Sequence, residues 1–258
     1  MNTSARDLRV LVTAGAAGIG RAIAQTFVEH GARVHICDID TAALAAAKAA
    51  MPSVTQTVAD VASLADVDRL FADVERTLGG LDVLVNNAGI AGPTGKVEDL
   101  KPEDWDRCIA VDLNGMFYCT RRAMPLIKRA GGGSIVNLSS VAGRLGFPLR
   151  TPYAAAKWAV VGFTKSLAIE AGPDTVRVNC IQPGNVEGER IDRVIDAKAK
   201  ALRIRPEEMR SRLLDTVSLR TFVSPQDIAN MALFLATDAG KHVTGQALSV
   251  CGDVQRTV

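Results

Sequence analysis

Short apolar runs and longer stretches of helical periodicity alternate along this chain from one end to the other. The β-type runs cover residues 10–12, 34–37, 54–58, 83–85, 135–138, 178–181 and 247–250. Helical patterns cover 23–30, 42–50, 66–78, 105–128, 153–171 and 225–236. A strand followed by a helix and then another strand is a βαβ unit, whose two strands lie parallel. Its crossover is right-handed almost without exception. A parallel sheet built from such units is covered by helices on both faces. The pattern predicts an α/β fold: a doubly wound parallel sheet of about seven strands, flanked by helices on both faces.

No repeat, low-complexity tract or linker divides the chain, so residues 1–258 read as one domain. At 258 residues and 48% hydrophobic, it can bury a large core. The one long departure from the alternation is 185–219, a polar and partly helical insertion placed where a lid over a site would be. Thirty basic residues against 28 acidic ones give a formal charge of +2. The basic residues are scattered, which argues against nucleic acid or an anionic membrane as partner. No run approaches the roughly 20 apolar residues that span a bilayer. The N-terminal nine residues lack the apolar core of a signal peptide. Cys37, Cys108, Cys119, Cys180 and Cys251 are an odd number with no close pair, so spacing offers no metal site and suits free thiols in a reducing compartment. A cytoplasmic protein is expected.

The first strand runs into Thr13-Ala14-Gly15-Ala16-Ala17-Gly18-Ile19-Gly20, and a helix follows. Glycines there let the backbone turn sharply and approach a pyrophosphate, which the free N–H groups of the helix start would bind. The second strand ends at Asp38, eighteen residues after Gly20. A carboxylate at that point accepts hydrogen bonds from the adenosine ribose hydroxyls. A 2′-phosphate would meet a like charge there, with no cation at Ala16, Ala17 or Ile39 to offset it. The expected cofactor is therefore NAD, not NADP. Asp38 and Asp40 also precede a helix, where an aspartate can serve simply as a cap.

Tyr153-Ala154-Ala155-Ala156-Lys157 opens a long helix after Pro152. Residues four apart share a helix face, so the phenol and the ammonium point the same way. Tyrosine ordinarily ionises near pH 10 and is a poor base at neutrality; a neighbouring cation favours the phenolate and brings it into acid–base use. Gly133-Ser134-Ile135-Val136-Asn137-Leu138-Ser139-Ser140 reads as a buried strand ending in two hydroxyls. Ser140 stands thirteen residues before Tyr153, placed to hydrogen-bond a substrate oxygen while the tyrosine exchanges its proton.

Taken together, these residues resemble the short-chain dehydrogenase/reductase family over nearly the whole chain. The glycine-rich loop at 13–20 is followed in order by Asp60-Val61, Asn86-Asn87-Ala88-Gly89, Asn114 within Val111-Asp112-Leu113-Asn114-Gly115, then Ser140, Tyr153, Lys157 and Pro183-Gly184. The resemblance implies a Rossmann-type sheet with a nicotinamide cofactor along the strands' carboxyl ends. It implies that Tyr153 is the acid/base, that Lys157 favours its phenolate and holds the nicotinamide ribose, that Ser140 orients the substrate oxygen, and that Asn114 anchors a proton-relay water. Gly15, Ala17, Gly18, Ile19 and Gly20 would hold the pyrophosphate, and Asp60 and Val61 the adenine. Asn87, Ala88 and Gly89 would line the cofactor near its ribose, with Pro183, Gly184 and Val186 at the nicotinamide. A homotetramer is implied by resemblance alone.

The chain departs from the family pattern at three points. Ala14 replaces the first loop glycine, Gly188 stands where a threonine often bonds the carboxamide, and Cys251-Gly252-Asp253 replaces Asp-Gly-Gly. Arg144 and Arg190, in the two segments flanking the catalytic residues, are the candidates for touching substrate. The function read from the residues is hydride transfer between NAD(H) and a small alcohol or carbonyl compound. Two alternatives stay open: an NADP-dependent 3-oxoacyl-type ketoreductase, and a non-catalytic dinucleotide sensor, for which intact Ser140, Tyr153 and Lys157 would be superfluous.

Overall fold

In a computed structural model, which describes residues 3–257, seven strands form one parallel sheet. They are β1 (Arg9–Thr13), β2 (Arg33–Asp38), β3 (Thr55–Val58), β4 (Val83–Asn86), β5 (Gly133–Leu138), β6 (Val176–Pro183) and β7 (Ala247–Val250). Their order is β3-β2-β1-β4-β5-β6-β7. Each of the seven apolar runs became a strand. Chain order reverses between β1 and β4, which opens a crevice at their carboxyl ends, where doubly wound sheets bind ligands.

The period of two along each strand divides the core. Val10, Val12, Val34, Ile36, Val83, Val85 and Val136 face one layer. It is built by helices α1 (Gly18–Glu29), α2 (Thr41–Ala50) and α9 (Pro225–Ala236). Leu11, Cys37, Leu84, Ile135 and Val178 face the other layer. It is built by α3 (Leu64–Leu78), α5 (Gly115–Arg129) and α6 (Thr151–Ala171). Buried polar side chains pin the second layer in place: Asn86 Nδ2 donates to Asn137 Oδ1 (2.9 Å) and Thr120 Oγ1 (3.0 Å), and Asn137 Nδ2 donates to Thr164 Oγ1 (3.0 Å). Unlike apolar contacts, these bonds select one angular setting of α5 and α6 on the sheet.

The helix expected over 105–128 begins earlier and is not regular. It comprises α4 (Pro102–Ile109), a wide π-type turn over Ala110–Asn114, and α5. Pro102 sets the start, since its missing N–H is no loss in a first turn. The insertion at 185–219 folds into α7 (Glu189–Leu202) and α8 (Pro206–Asp215), which share a small cluster of Ile195, Ala199, Met209, Leu213 and Phe222. The C-terminal segment returns to the end of this insertion through the pairing of Val217 with Val254. Among the described residues, no helix is long and apolar enough to cross a membrane.

Candidate active site

The glycine-rich loop joins β1 to α1 at the crevice. Ala14 takes the left-handed conformation (φ 48°) and Gly18 another (φ 52°). The loop therefore keeps a glycine-like turn on an alanine, a strained setting for a residue with a Cβ. Gly20 permits the close packing: a Cβ there would lie 2.1 Å from the Ala14 carbonyl oxygen and 2.5 Å from Asn87 Nδ2. Asn87 Nδ2 itself donates to the carbonyls of Thr13 (2.9 Å) and Ala14 (3.0 Å). Thr13 Oγ1 in turn accepts from the N–H groups of Asn87 and Ala88. The loop after β4 and the loop after β1 are thus one hydrogen-bonded unit. Ala17 caps α1 without a side-chain hydrogen bond, and a Cβ on Gly18 would meet nothing within 4 Å. The N–H groups of this helix start, with Ala17, Gly18 and Ile19 at an open surface, fit a pyrophosphate.

Asp38 ends β2 beside this loop, its Oδ2 accepting from Ala16 N at 3.4 Å. Asp60 accepts from Ala62 N (2.9 Å) and pairs with Arg107 (3.1 Å). Val61 is buried, packing where a Cβ on Gly115 would lie 2.7 Å from Val61 Cγ2. That position draws Val61 toward the core, leaving Asp60 as the more open of the pair. Pro183 ends β6; Gly184 N donates to Val250 O (3.0 Å) and Val186 pairs with Val223. Gly188, at φ 125°, starts α7 in a conformation that threonine would adopt only under strain.

Strand β5 delivers Ser139 and Ser140 to the N-terminal half of α6. Ser139 Oγ donates to Lys157 O (2.8 Å), and Ser140 Oγ accepts from Ala142 N (3.1 Å). Lys157 is buried at 4% exposure, and its Nζ donates to Leu138 O (3.1 Å) and lies 5.6 Å from the Tyr153 ring centre. Tyr153 is half-buried.

The group facing Lys157 was missed in the sequence. Asp112 Oδ2 lies 3.7 Å from Lys157 Nζ, both side chains almost wholly buried, and Asp112 Oδ1 accepts from Ile90 N (2.6 Å). A Cβ on Gly89 would sit 3.1 Å from Asp112 Oδ1 and 3.2 Å from Lys157 Nζ, so glycine is what lets the β4 loop close over this pair. Asn114, expected to anchor a relay water, lies two residues further along the wide turn and is half-buried. Asp112 is the residue of this turn that faces the lysine.

Two further cations were also missed. Arg150, 2% exposed, stands at the N-terminus of α6; its guanidinium carbon lies 5.1 Å from the Tyr153 ring centre and it donates to Ala91 O. Lys198 of α7, 1% exposed, places Nζ 4.4 Å from the Phe147 ring centre. Burial, and then the charge of Arg150, push Lys198 down to about 8. Arg190 reaches from α7 to donate to Gly89 O (3.1 Å). Arg144 instead donates to Val254 O (2.8 Å) and Cys251 Sγ (3.6 Å). It serves the C-terminal segment, so Cys251 has a structural role and Arg190 is the better candidate for substrate.

The family described as enoyl-(acyl carrier protein) reductase matches residues 14–253. The 2-(S)-hydroxypropyl-CoM dehydrogenase 3 of Xanthobacter autotrophicus is 36% identical over 98% of this chain and 98% of its own. Two solved structures superpose closely. Xylitol dehydrogenase with NAD+ bound has a TM-score of 0.93 at 27% identity, covering 96% of this chain and 99% of that one. A variant of actinorhodin polyketide ketoreductase with NADPH has 0.91 at 32% identity, covering 95% and 97%.

Proposed function

The chain belongs to the short-chain dehydrogenase/reductase family, and from that premise we propose an NAD-dependent enzyme that oxidises a small secondary alcohol or reduces the matching carbonyl. The observation that carries this reading is the buried ammonium of Lys157, held between Leu138 O and Asp112 and set against the Tyr153 ring. Such a group costs several kcal/mol to desolvate, which is hard to explain in a binding module that never needs a phenolate.

When bound, the nicotinamide supplies the hydride acceptor or donor. In the oxidising direction, Tyr153 takes the proton of the substrate hydroxyl as the hydride leaves its carbon, and Ser140 orients that oxygen. In the reducing direction, Tyr153 gives the proton back. Lys157 stands beside the Tyr153 ring and would bind the ribose. The loop N–H groups of Ala17, Gly18, Ile19 and Gly20, with Gly15 behind them, would hold the pyrophosphate. Asn87, Ala88, Gly89, Pro183, Gly184 and Val186 would line the nicotinamide half. Asp38 at the end of β2, with exposed and uncharged Ile39 beside it, supports NAD over NADP. Asn114 would anchor a proton-relay water.

The segment 185–219 serves as a lid on a single domain. Phe117 of α5 and Trp158 and Ile169 of α6 are exposed large apolar groups, and they support assembly into a homotetramer through those helices. Five buried free cysteines among the described residues suit a cytoplasmic setting.

The test is nucleotide reduction with NAD and with NADP against a panel of secondary alcohols, polyols and hydroxy acids, with Tyr153→Phe beside the native protein. NADH formation that Tyr153→Phe abolishes while NAD affinity persists is the expected result. Equal turnover in the variant would sink the mechanism. If Asp38→Ala combined with Ile39→Arg leaves the NAD/NADP ratio of kcat/KM unchanged, Asp38 is not the ribose ligand.

A further inference from the structure

The entrance beside Tyr153 carries more positive charge than the proposed reaction uses. Arg150 and Arg190 form no ion pair among the described residues; each donates to a main-chain carbonyl, of Ala91 and Gly89 respectively. Arg150 Nε is buried with no hydrogen-bond partner. Arg150 also sits at the positive end of the 21-residue helix α6, where a cation is disfavoured unless an anion is close. Lys198 also stands against Phe147, whose ring lies 5.6 Å from the Arg150 guanidinium and 4.4 Å from Lys198 Nζ. The three cations come from two elements: Arg150 from the start of α6, and Arg190 and Lys198 from the start and the middle of α7. The buried acid near them, Asp112, is already engaged by Lys157 and Ile90 N.

We propose that Arg150, Arg190 and Lys198 form an oxyanion subsite beside Tyr153. The substrate is then a hydroxy or oxo compound bearing a carboxylate, sulfonate or phosphate, with Phe147 against its carbon chain. This rests on the proposed hydride transfer and adds the class of compound on which it acts. The buried guanidinium gains the acceptor that Nε lacks, and charge-assisted bonds to a planar or tetrahedral oxyanion suit its fork of donors. Burial lowers both Arg150 and Lys198 from their ordinary values, and each feels a neighbouring cation. That mutual repulsion is what a bound anion would relieve.

The test is calorimetric titration of the protein saturated with NADH, using acetoacetate, 2-oxopropanesulfonate and acetonyl phosphate against neutral acetoacetamide. At least one anion should bind about tenfold or more tighter than the amide, as expected for charge-assisted bonds. The preference should weaken with added salt. Arg190→Gln, at an exposed position that leaves the core intact, should reduce it severalfold. Arg150→Gln should abolish it, and Arg150→Lys should restore part of it. Equal binding of amide and anions, no binding by any anion up to millimolar concentration, or a preference untouched by both glutamine variants would overturn the subsite. Those results with NADH still bound leave the hydride-transfer reading standing, whereas failure to bind NADH removes both.

Discussion

Replacing Asp112 and Lys157 singly and together tests whether their contact organises the site. At 3.7 Å, two unit charges at an effective dielectric of about 20 attract by roughly 4 kcal/mol. Asp112→Leu leaves a buried ammonium with Leu138 O alone, and Lys157→Met leaves a buried carboxylate with Ile90 N alone. Each single change should therefore destabilise by about 3–5 kcal/mol. The double variant removes both charges, and its loss should be near 2–4 kcal/mol, mostly from the two main-chain groups left unpaired. The coupling energy is then about 2 kcal/mol or more, toward the upper end for contacting residues. Urea unfolding at pH 7 measures it: with a slope near 3 kcal/mol per molar, each single variant shifts the midpoint by about 1 M or more. Losses that simply add, to within about 0.5 kcal/mol, would refute the view that Asp112 holds Lys157 in place.

Two further predictions concern groups away from that pair. His35 is buried on β2 between Thr55 Oγ1 (2.7 Å) and Thr57 Oγ1 (3.0 Å), and burial lowers it to about 4. The unfolded chain takes up a proton near pH 6.5 that the folded chain refuses until near pH 4, so stability falls as the pH drops through that window. Between pH 7 and 5 the His35 share is about 2 kcal/mol, and urea midpoints at the two pH values should show it in the native protein and not in His35→Gln. Gly20→Ala drives a Cβ into the Ala14 carbonyl and should weaken NAD binding by about tenfold or more, since overpacking costs of order 1–3 kcal/mol; unchanged affinity by calorimetry would show that the loop is not shaped by that contact.

The sheet was legible because its signal is local. Seven apolar runs separated by helical periods fix strands and crossovers, and the core divides between faces as the period of two requires. The placement of Ser140, Tyr153 and Lys157 was legible from spacing: i and i+4 on α6, and the end of β5. Asp112 was not, although it stood inside a motif that was read. Which of Asp112 and Asn114 turns inward depends on the winding of the helix there, and a regular helix was assumed where a wide turn exists. Arg150 and Lys198 were hidden for another reason. Hydropathy counts them as surface residues, whereas the fold buries both. Arg190 was visible because it opens the polar segment and stays exposed in the fold. Ala14 stands where the family has a glycine, yet the fold holds it at positive φ, with Asn87 Nδ2 bonded to its carbonyl and Gly20 leaving room beside it.

The wide turn at 110–114 ties the site to chain length as well as to residue identity. The turn holds one residue more than a regular helix would and absorbs it locally. Deleting one residue there would let α4 and α5 wind as a single regular helix with Cys119, Ala123 and Ile127 still against the sheet, and only the side chains inside the turn, Asp112 among them, would change direction. The extra residue thus sets one carboxylate beside Lys157 without redirecting the helix that carries it. In a library of variants, shortening this stretch by one residue should cost the site and spare the fold.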